Sequence, residues 1–151
     1  MATTAQVRTP VHLWIVGALA LLWNCFGAYD YVMTRTHNLG YLAKAMPGVD
    51  PAAALAWIEG MPLYAQIGWG LGVWCGLAGA VLLLVRSRYA VWSFAVSMLG
   101  IVLSIGYQLV AAPPLAGADS AGGKVMPYVI IVVGAALLAY SQAIAKRAVL
   151  R

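Results

Sequence analysis

Four long apolar runs dominate the sequence and restrict what it can fold into: residues 11–33, 63–85, 89–110 and 126–145. At a rise of about 1.5 Å per residue, a helix of about 20 residues crosses a hydrocarbon core of roughly 30 Å. Each run is expected to be helical, because a backbone in lipid must satisfy its own hydrogen bonds. The sequence therefore predicts an all-α integral membrane protein, a single membrane domain with four transmembrane helices in an antiparallel bundle.

Composition excludes a soluble fold and a nucleic-acid partner. Hydrophobic residues make up 64% of the 151 residues and charged residues only 9%, against about 25% charged residues in an average soluble domain. The net charge of +5 is spread over short segments between the apolar runs and forms no basic face. The first run continues past Asn24 without a small-residue cleavage site, so we expect it to be retained as a span and not removed as a signal peptide.

Basic residues predict the orientation of the bundle. Because Lys and Arg concentrate in cytoplasmic segments, both termini are expected in the cytoplasm of a multi-pass protein in a bacterial inner membrane. The predicted cytoplasmic side carries no acidic residue and holds Arg8, Arg86, Arg88, Lys146, Arg147 and Arg151. The opposite side holds Arg35, Lys44 and Lys124 together with the four acidic residues Asp30, Asp50, Glu59 and Asp119.

Two connections are expected on the outer side. In residues 34–62, Asn38 is a candidate cap for a short helical turn, and Asp50 followed by Pro51 is a typical helix start. The apolar helix predicted at residues 51–59 suits the membrane interface, either as a lid over the bundle or as a plain connector. Residues 111–127 contain paired prolines and paired glycines and are expected to be irregular.

The end of the first run concentrates polar and aromatic groups. At helical spacing Asn24, Gly27 and Tyr31 share one face, with Asp30 beside them. This spacing predicts that a neighbouring helix approaches closely at Gly27. Other aromatic residues on the outer side, such as Tyr41, Trp57 and Trp69, are typical of an interfacial belt, and a recognition surface is the alternative.

The second run is the predicted packing hub. Gly68, Gly72 and Gly76 recur every four residues, and small residues at this spacing let membrane helices approach closely. The partner is either a helix of the same chain, which we favour, or a second copy of the protein.

Few polar side chains lie inside the predicted spans. Depth places Asn24, Asp30, Gln66 and Gln108 in the outer half, where they are expected to converge on a substrate-binding pocket with Tyr31 as one wall. The alternative is that the amides join helices by hydrogen bonds worth about 0.6 kcal/mol on average. Asp30 is a functional candidate as an intramembrane acid, and an ion pair with Arg35 or His37 is its structural alternative.

The remaining chemistry disfavours an enzyme. Cys25 and Cys75 form no CxxC motif and are interpreted as small buried residues. His12 and His37 are expected at opposite ends of the bundle, where they could not ligate one haem iron. No phosphate loop, nucleophile elbow or metal-ligand spacing occurs, so no catalytic residue, metal or cofactor is predicted.

The motif Trp23-Asn24-x-x-Gly27-x-x-Asp30-Tyr31, followed by a Gly- and Trp-rich second run and a basic loop at residues 86–88, resembles a group of small bacterial inner-membrane proteins. Members of that group are usually described as hypothetical and sometimes labelled sugar transporters. The resemblance implies four spans in a bacterial inner membrane and assigns no site residues.

Two functions remain in view. The first is a small-solute transporter or permease that works as a homo-oligomer, with its site at Asn24, Asp30, Tyr31, Gln66 and Gln108. The second is a non-catalytic accessory subunit or assembly factor that docks on a membrane-protein partner through the glycine face of the second run.

Overall fold

A computed structural model describes residues 10–118, 120–147 and 149–150. Four of its helices are long and apolar enough to cross a membrane, and no strand occurs in the described part of the chain. The predicted all-α fold with four spanning helices is confirmed. Arg8, Asp119 and Arg151, which contribute to the predicted orientation, lie outside the described residues. The helices are α1 (Val11–Arg35), α2 (Leu39–Ala45), α3 (Pro51–Glu59), α4 (Leu63–Leu84), α5 (Tyr89–Val110) and α6 (Ala121–Lys146).

Local capping sets the two short helices. The Asn38 side chain accepts a hydrogen bond of 2.9 Å from the backbone N–H of Tyr41 at the start of α2. At the start of α3 the Asp50 carboxylate accepts one of 2.9 Å from the N–H of Ala53, with Pro51 in the first turn. Each cap satisfies one of the N–H groups that a helix start leaves without a partner.

Helix α6 begins earlier than predicted. The irregular loop expected at residues 111–127 ends instead at Ser120, whose hydroxyl accepts a hydrogen bond of 3.2 Å from the N–H of Gly123. The glycine pair and Pro127 therefore lie inside the helix. Backbone hydrogen bonding inside a membrane outweighs the low helix propensity of these residues, which soluble proteins use as helix breakers.

Helices α4 and α5 form the tightest pair in the bundle. A Cβ atom at Gly100 of α5 would collide with the carbonyl oxygen of Gly68 and the backbone nitrogen of Gly72. Two serines of α5 add interhelical hydrogen bonds, because Ser93 and Ser97 donate to carbonyl oxygens of α4 at 2.8 and 2.6 Å. The glycine face of α4 thus packs against α5 of the same chain.

Helices α1 and α6 flank this pair without packing extensively on each other: the close packing runs from α1 to α4, from α4 to α5 and from α5 to α6. Near the chain termini α1 and α6 are joined by a hydrogen bond of 2.6 Å between His12 Nδ1 and the Tyr140 hydroxyl. Beneath it a buried apolar cluster includes Leu13, Leu83 and Ile144. We call this end of the bundle the terminal end.

The opposite end, the α2–α3 end, is covered by the short helices. Trp57 of α3 donates its indole N–H to the carbonyl oxygen of Pro113 at 2.7 Å. The loop that follows α5 also packs closely on the α2–α3 connection, where Gly48 and Gly117 both adopt positive φ angles and a Cβ at Gly117 would collide with Gly48. This arrangement favours the lid over the plain connector among the two interpretations of residues 51–59.

The backbone contact at Gly100 yields a stability prediction. Gly100→Ala should lower the free energy of unfolding by about 1–3 kcal/mol relative to Gly106→Ala, because overpacking forces α4 and α5 apart. Gly106 lies on the same helix with open space at its Cβ position. Both variants replace Gly by Ala, so the gain in helix propensity is the same in each and cancels in the comparison. Unfolding of both variants in mild detergent checks this, and equal stabilities would contradict the close approach.

Candidate functional site

A cavity of about 590 Å³ lies between the spanning helices and beneath α2 and α3. Binding sites for small molecules commonly have volumes of about 300–1,000 Å³. Its floor includes Phe94 and Leu137, which belong to or pack against the apolar cluster of the terminal end. From there the cavity extends to the α2–α3 end, where Leu42, Met46 and Trp57 line it.

The cavity has an open edge between α1 and α6, which do not pack closely on each other. Phe26 of α1 and Met126 of α6 both line it, yet their side chains are 62% and 46% exposed. Residues that line a cavity and remain this exposed lie at its open edge. The cavity therefore opens between α1 and α6, toward the space that lipid occupies around a membrane bundle.

Helix α1 contributes one polar face to the cavity. Trp23, Gly27, Asp30 and Thr34 all line it, and their spacing of three or four residues places them along one side of a helix. Asn24 lies beside them, near the middle of α1. Its amide nitrogen donates to the Ala20 carbonyl of the same helix at 2.8 Å.

The Asn24 amide does not join two helices by a hydrogen bond, although it fits closely against α4. Its oxygen Oδ1 lies where a Cβ atom at Gly76 would have to be. Among the described residues no hydrogen-bond donor reaches this oxygen. The carbonyl oxygen of Asn24 therefore packs against α4 and accepts no hydrogen bond from the described residues.

Asp30 is held by the lid helix α2. The Tyr41 hydroxyl donates a hydrogen bond of 2.7 Å to Asp30 Oδ1. The alternative of an ion pair with Arg35 or His37 is wrong for this structure, because Arg35 donates to the Gln66 side chain at 3.3 Å and His37 contacts Glu59 at 2.8 Å. In the described part of the chain Asp30 forms no ion pair.

The hydrogen bond between Tyr41 and Asp30 affects the pKa of the Tyr41 hydroxyl. Burial raises the pKa of the Tyr41 hydroxyl above its ordinary value, and the hydrogen bond to the negative Asp30 carboxylate raises it further. A neighbouring negative charge disfavours a second one. Tyr41 therefore remains a hydrogen-bond donor to Asp30 across the physiological pH range.

Helix α5 brings two further polar groups to the cavity. Ser104 is only 2% exposed, and its hydroxyl oxygen lacks a hydrogen-bond partner among the described residues. Gln108 lines the cavity one turn further along, also without a partner in that part of the chain. A buried hydroxyl without a partner is costly, and Ser104 is such a group in the described part of the chain.

The predicted site residues divide into two groups. Asn24, Asp30 and Gln108 come together around the cavity, whereas Gln66 and Tyr31 do not line it. The Gln66 amide donates to the carbonyl oxygens of Glu59 and Met61 and so fixes the α3–α4 junction. Tyr31 packs on α4 outside the cavity, with its ring 4.6 Å from that of Trp69.

The four predicted packing glycines also differ. Gly68 and Gly72 lie against α5, and Gly76 lies against Asn24 and Ser97. The expected close approach of a helix at Gly27 is absent, because no described atom lies within 4 Å of its Cβ position. Gly27 lines the open cavity instead.

Several residues that line the cavity were not predicted as site residues. For one of them, Ser104, the sequence contains a recognisable pattern. On α5 the sequence repeats small or polar residues at helical spacing from Ser97 through Gly100 and Ser104 to Gln108. The contributions of Tyr41 and Trp57 carry no such signal, because they depend on how α2 and α3 fold back over the bundle.

No metal site emerges from the described residues, in which no group of three or more His, Cys, Asp or Glu side chains is placed to hold an ion. His12 and His37 lie at opposite ends of α1, engaged with Tyr140 and Glu59. The polar groups of the cavity include one carboxylate, the Lys44 ammonium group, amides and hydroxyls, which suit hydrogen bonding and charge recognition.

The chain matches no protein-family model, no curated protein and no solved structure.

Two serines on one face of α5 provide a matched test of the cavity. Ser97→Ala removes the hydrogen bond to Gly72 and should lower the free energy of unfolding by about 0.6–1.7 kcal/mol. Ser104→Ala removes a hydroxyl without a partner and should leave stability unchanged or raise it. Unfolding of both variants in detergent, freed of small molecules, checks this; an equal loss would show that Ser104 is hydrogen-bonded within the protein.

The contact between Asp30 and Tyr41 predicts a titration. In the folded protein Asp30→Asn should lower the pKa of Tyr41, because the negative charge is removed, while burial keeps it above the ordinary value. Tyrosinate absorbance during an alkaline titration measures this, with the Tyr41 step identified by subtracting the matching Tyr41→Phe variant. A Tyr41 step that does not move would contradict the contact.

Proposed function

We propose that the protein is a small-solute transporter whose binding site is the cavity between α1 and α6. The observation that carries the proposal is the Asp30 carboxylate, which lines a cavity shared with Asn24 and Gln108 and has no ion-pair partner among the described residues. Polar groups inside a membrane protein are costly and generally serve function. Among the described residues Asp30 pairs only with the neutral Tyr41 hydroxyl, so a packing role would leave its charge uncompensated.

The position of the cavity supports transport over simple surface binding. Asn24 lies six residues from Asp30 along α1, which is about 9 Å at the helical rise. The polar groups thus extend from the α2–α3 end toward the middle of the spans. A solute bound there sits partway across the membrane, beneath a lid of two short helices that is tied to the cavity by Tyr41.

The second candidate, an accessory subunit, loses its predicted docking surface. That role relied on the glycine face of α4, and Gly68 and Gly72 are already in contact with α5. A partner would have to displace α5 or use another surface. We therefore favour transport.

The proposal includes a bacterial inner membrane with both termini in the cytoplasm, as the basic residues suggest. In this orientation the α2–α3 end faces outward and the lid covers the entry side. A homo-oligomer is compatible with this function, but solute binding does not require one because the cavity lies within a single chain.

Filling the cavity tests the proposal. Gly27→Leu places a side chain in open space and should abolish solute binding without disturbing helix packing. Native mass spectrometry of protein extracted gently from its membrane should detect a small molecule bound to the wild type and not to this variant. The identified molecule, radiolabelled, should then be taken up by proteoliposomes of the wild type only.

Gly106→Leu is the matched control, because its Cβ position is equally open and Gly106 does not line the cavity. It should retain the bound molecule and the uptake. Binding that survives Gly27→Leu, or a stoichiometric complex with unrelated subunits and no bound solute, would refute the transporter.

A further inference from the structure

We infer that the cavity accepts a hydrophobic organic cation, with its charge at Asp30 and its apolar groups between α1 and α6. The inference rests on the proposed function and specifies its substrate class. Its four supports are the negative charge of the cavity, its aromatic rings, its aliphatic wall and its open side.

The negative charge of the cavity is concentrated at one carboxylate. Asp30 is the only acidic residue among the described residues that line the cavity. Its hydrogen bond comes from the neutral Tyr41 hydroxyl, which orients the carboxylate without neutralising it. A partly buried carboxylate without a protein cation is stabilised by a positively charged ligand.

Aromatic side chains surround the same end of the cavity. Tyr41, Trp57 and Trp69 line it, and each is fixed from outside the cavity or by Asp30 itself. Trp57 donates to the Pro113 carbonyl at 2.7 Å, and Trp69 packs against Tyr31 at a ring distance of 4.6 Å. Aromatic faces attract organic cations, with Trp the most effective. Rings held in place and combined with one carboxylate are suited to a bulky ammonium or phosphonium group.

The rest of the lining selects for an apolar body. The deeper cavity wall is formed by aliphatic side chains of α5 and α6. A sugar would require many hydrogen-bond partners there, and a hydrated metal ion would require several oxygen ligands. The ligand that matches one carboxylate, several aromatic rings and an aliphatic wall is a cation with hydrophobic substituents. The lining aliphatic residues include Ile101, Ile105, Ile130, Val133 and Leu137.

The open side of the cavity fits the same class. Phe26 and Met126 are exposed at its edge, and hydrophobic cations concentrate in membranes. Such a molecule would enter between α1 and α6 from the lipid, with its charge directed toward Asp30 near the α2–α3 end.

One positive charge opposes this assignment and makes it testable. Lys44 of α2 also lines the cavity, and it is exposed at the α2–α3 end. A cationic ligand would be repelled by Lys44 and held by Asp30, whereas an anionic ligand would be held by Lys44. Neutralising each residue in turn therefore distinguishes the two ligand charges.

Two probe ions of nearly equal size and opposite charge allow this test: tetraphenylphosphonium and tetraphenylborate. Their binding to the purified full-length protein in detergent is measured by equilibrium dialysis, with Gly27→Leu subtracted as the background of nonspecific partitioning. The wild type should bind the phosphonium in a 1:1 complex and bind the borate at least about tenfold more weakly.

Asp30→Asn should weaken phosphonium binding by about tenfold or more, because the attracting charge is lost. Lys44→Gln should leave it unchanged or strengthen it. Tyr41→Phe retains the Asp30 charge and serves as a control for the structure around it, with a smaller effect than Asp30→Asn. Thermal unfolding of each variant confirms that it is folded.

Preferential binding of the borate, or its loss in Lys44→Gln, would overturn the cation assignment. Phosphonium binding that is equal in the wild type and in Asp30→Asn would overturn it too, as would the absence of binding of either ion above background. These outcomes are separate from the proposed function, because a native small molecule lost in Gly27→Leu would still support a solute site of different chemistry.

Discussion

The close contact between the backbones of α4 and α5 determines the rest of the architecture. Gly68 and Gly72 on one helix face Gly100 on the other, and the contact leaves no room for a side chain. In lipid, where no hydrophobic effect brings helices together, such packing is a main source of association. With α4 and α5 joined in this way, α1 packs on one member of the pair and α6 on the other. The space between α1 and α6 becomes the cavity.

The fold follows from local rules that a sequence displays directly. Run length predicted the ends of three spans to within two residues, and Asn38, Asp50 and Pro51 predicted the two short helices. The start of α6 was predicted wrongly, because Gly122, Gly123 and Pro127 break helices in water. In a membrane the requirement for backbone hydrogen bonds overrides that preference.

The site was only partly predictable, since depth along a helix is visible in a sequence and direction around the bundle is not. Depth correctly grouped Asn24, Asp30 and Gln108 and wrongly added Gln66, which caps the end of α3 instead. Tyr41 was not identified as the partner of Asp30. That contact forms only because the chain turns back over the bundle after α1, a long-range arrangement without a sequence pattern.

The central claim is that a polar cavity reaches the middle of the spans from the α2–α3 end, and thiol accessibility tests it most directly. Two single cysteines are compared in a background with Cys25 and Cys75 replaced by Ala. Asn24→Cys places a thiol at a position that lines the cavity. Leu22→Cys places one at a similar depth, at a position that is 68% exposed toward lipid. With the protein in liposomes, a water-soluble methanethiosulfonate reagent should modify Asn24→Cys and leave Leu22→Cys unmodified. Equal protection of both cysteines would contradict the cavity and the function proposed for it.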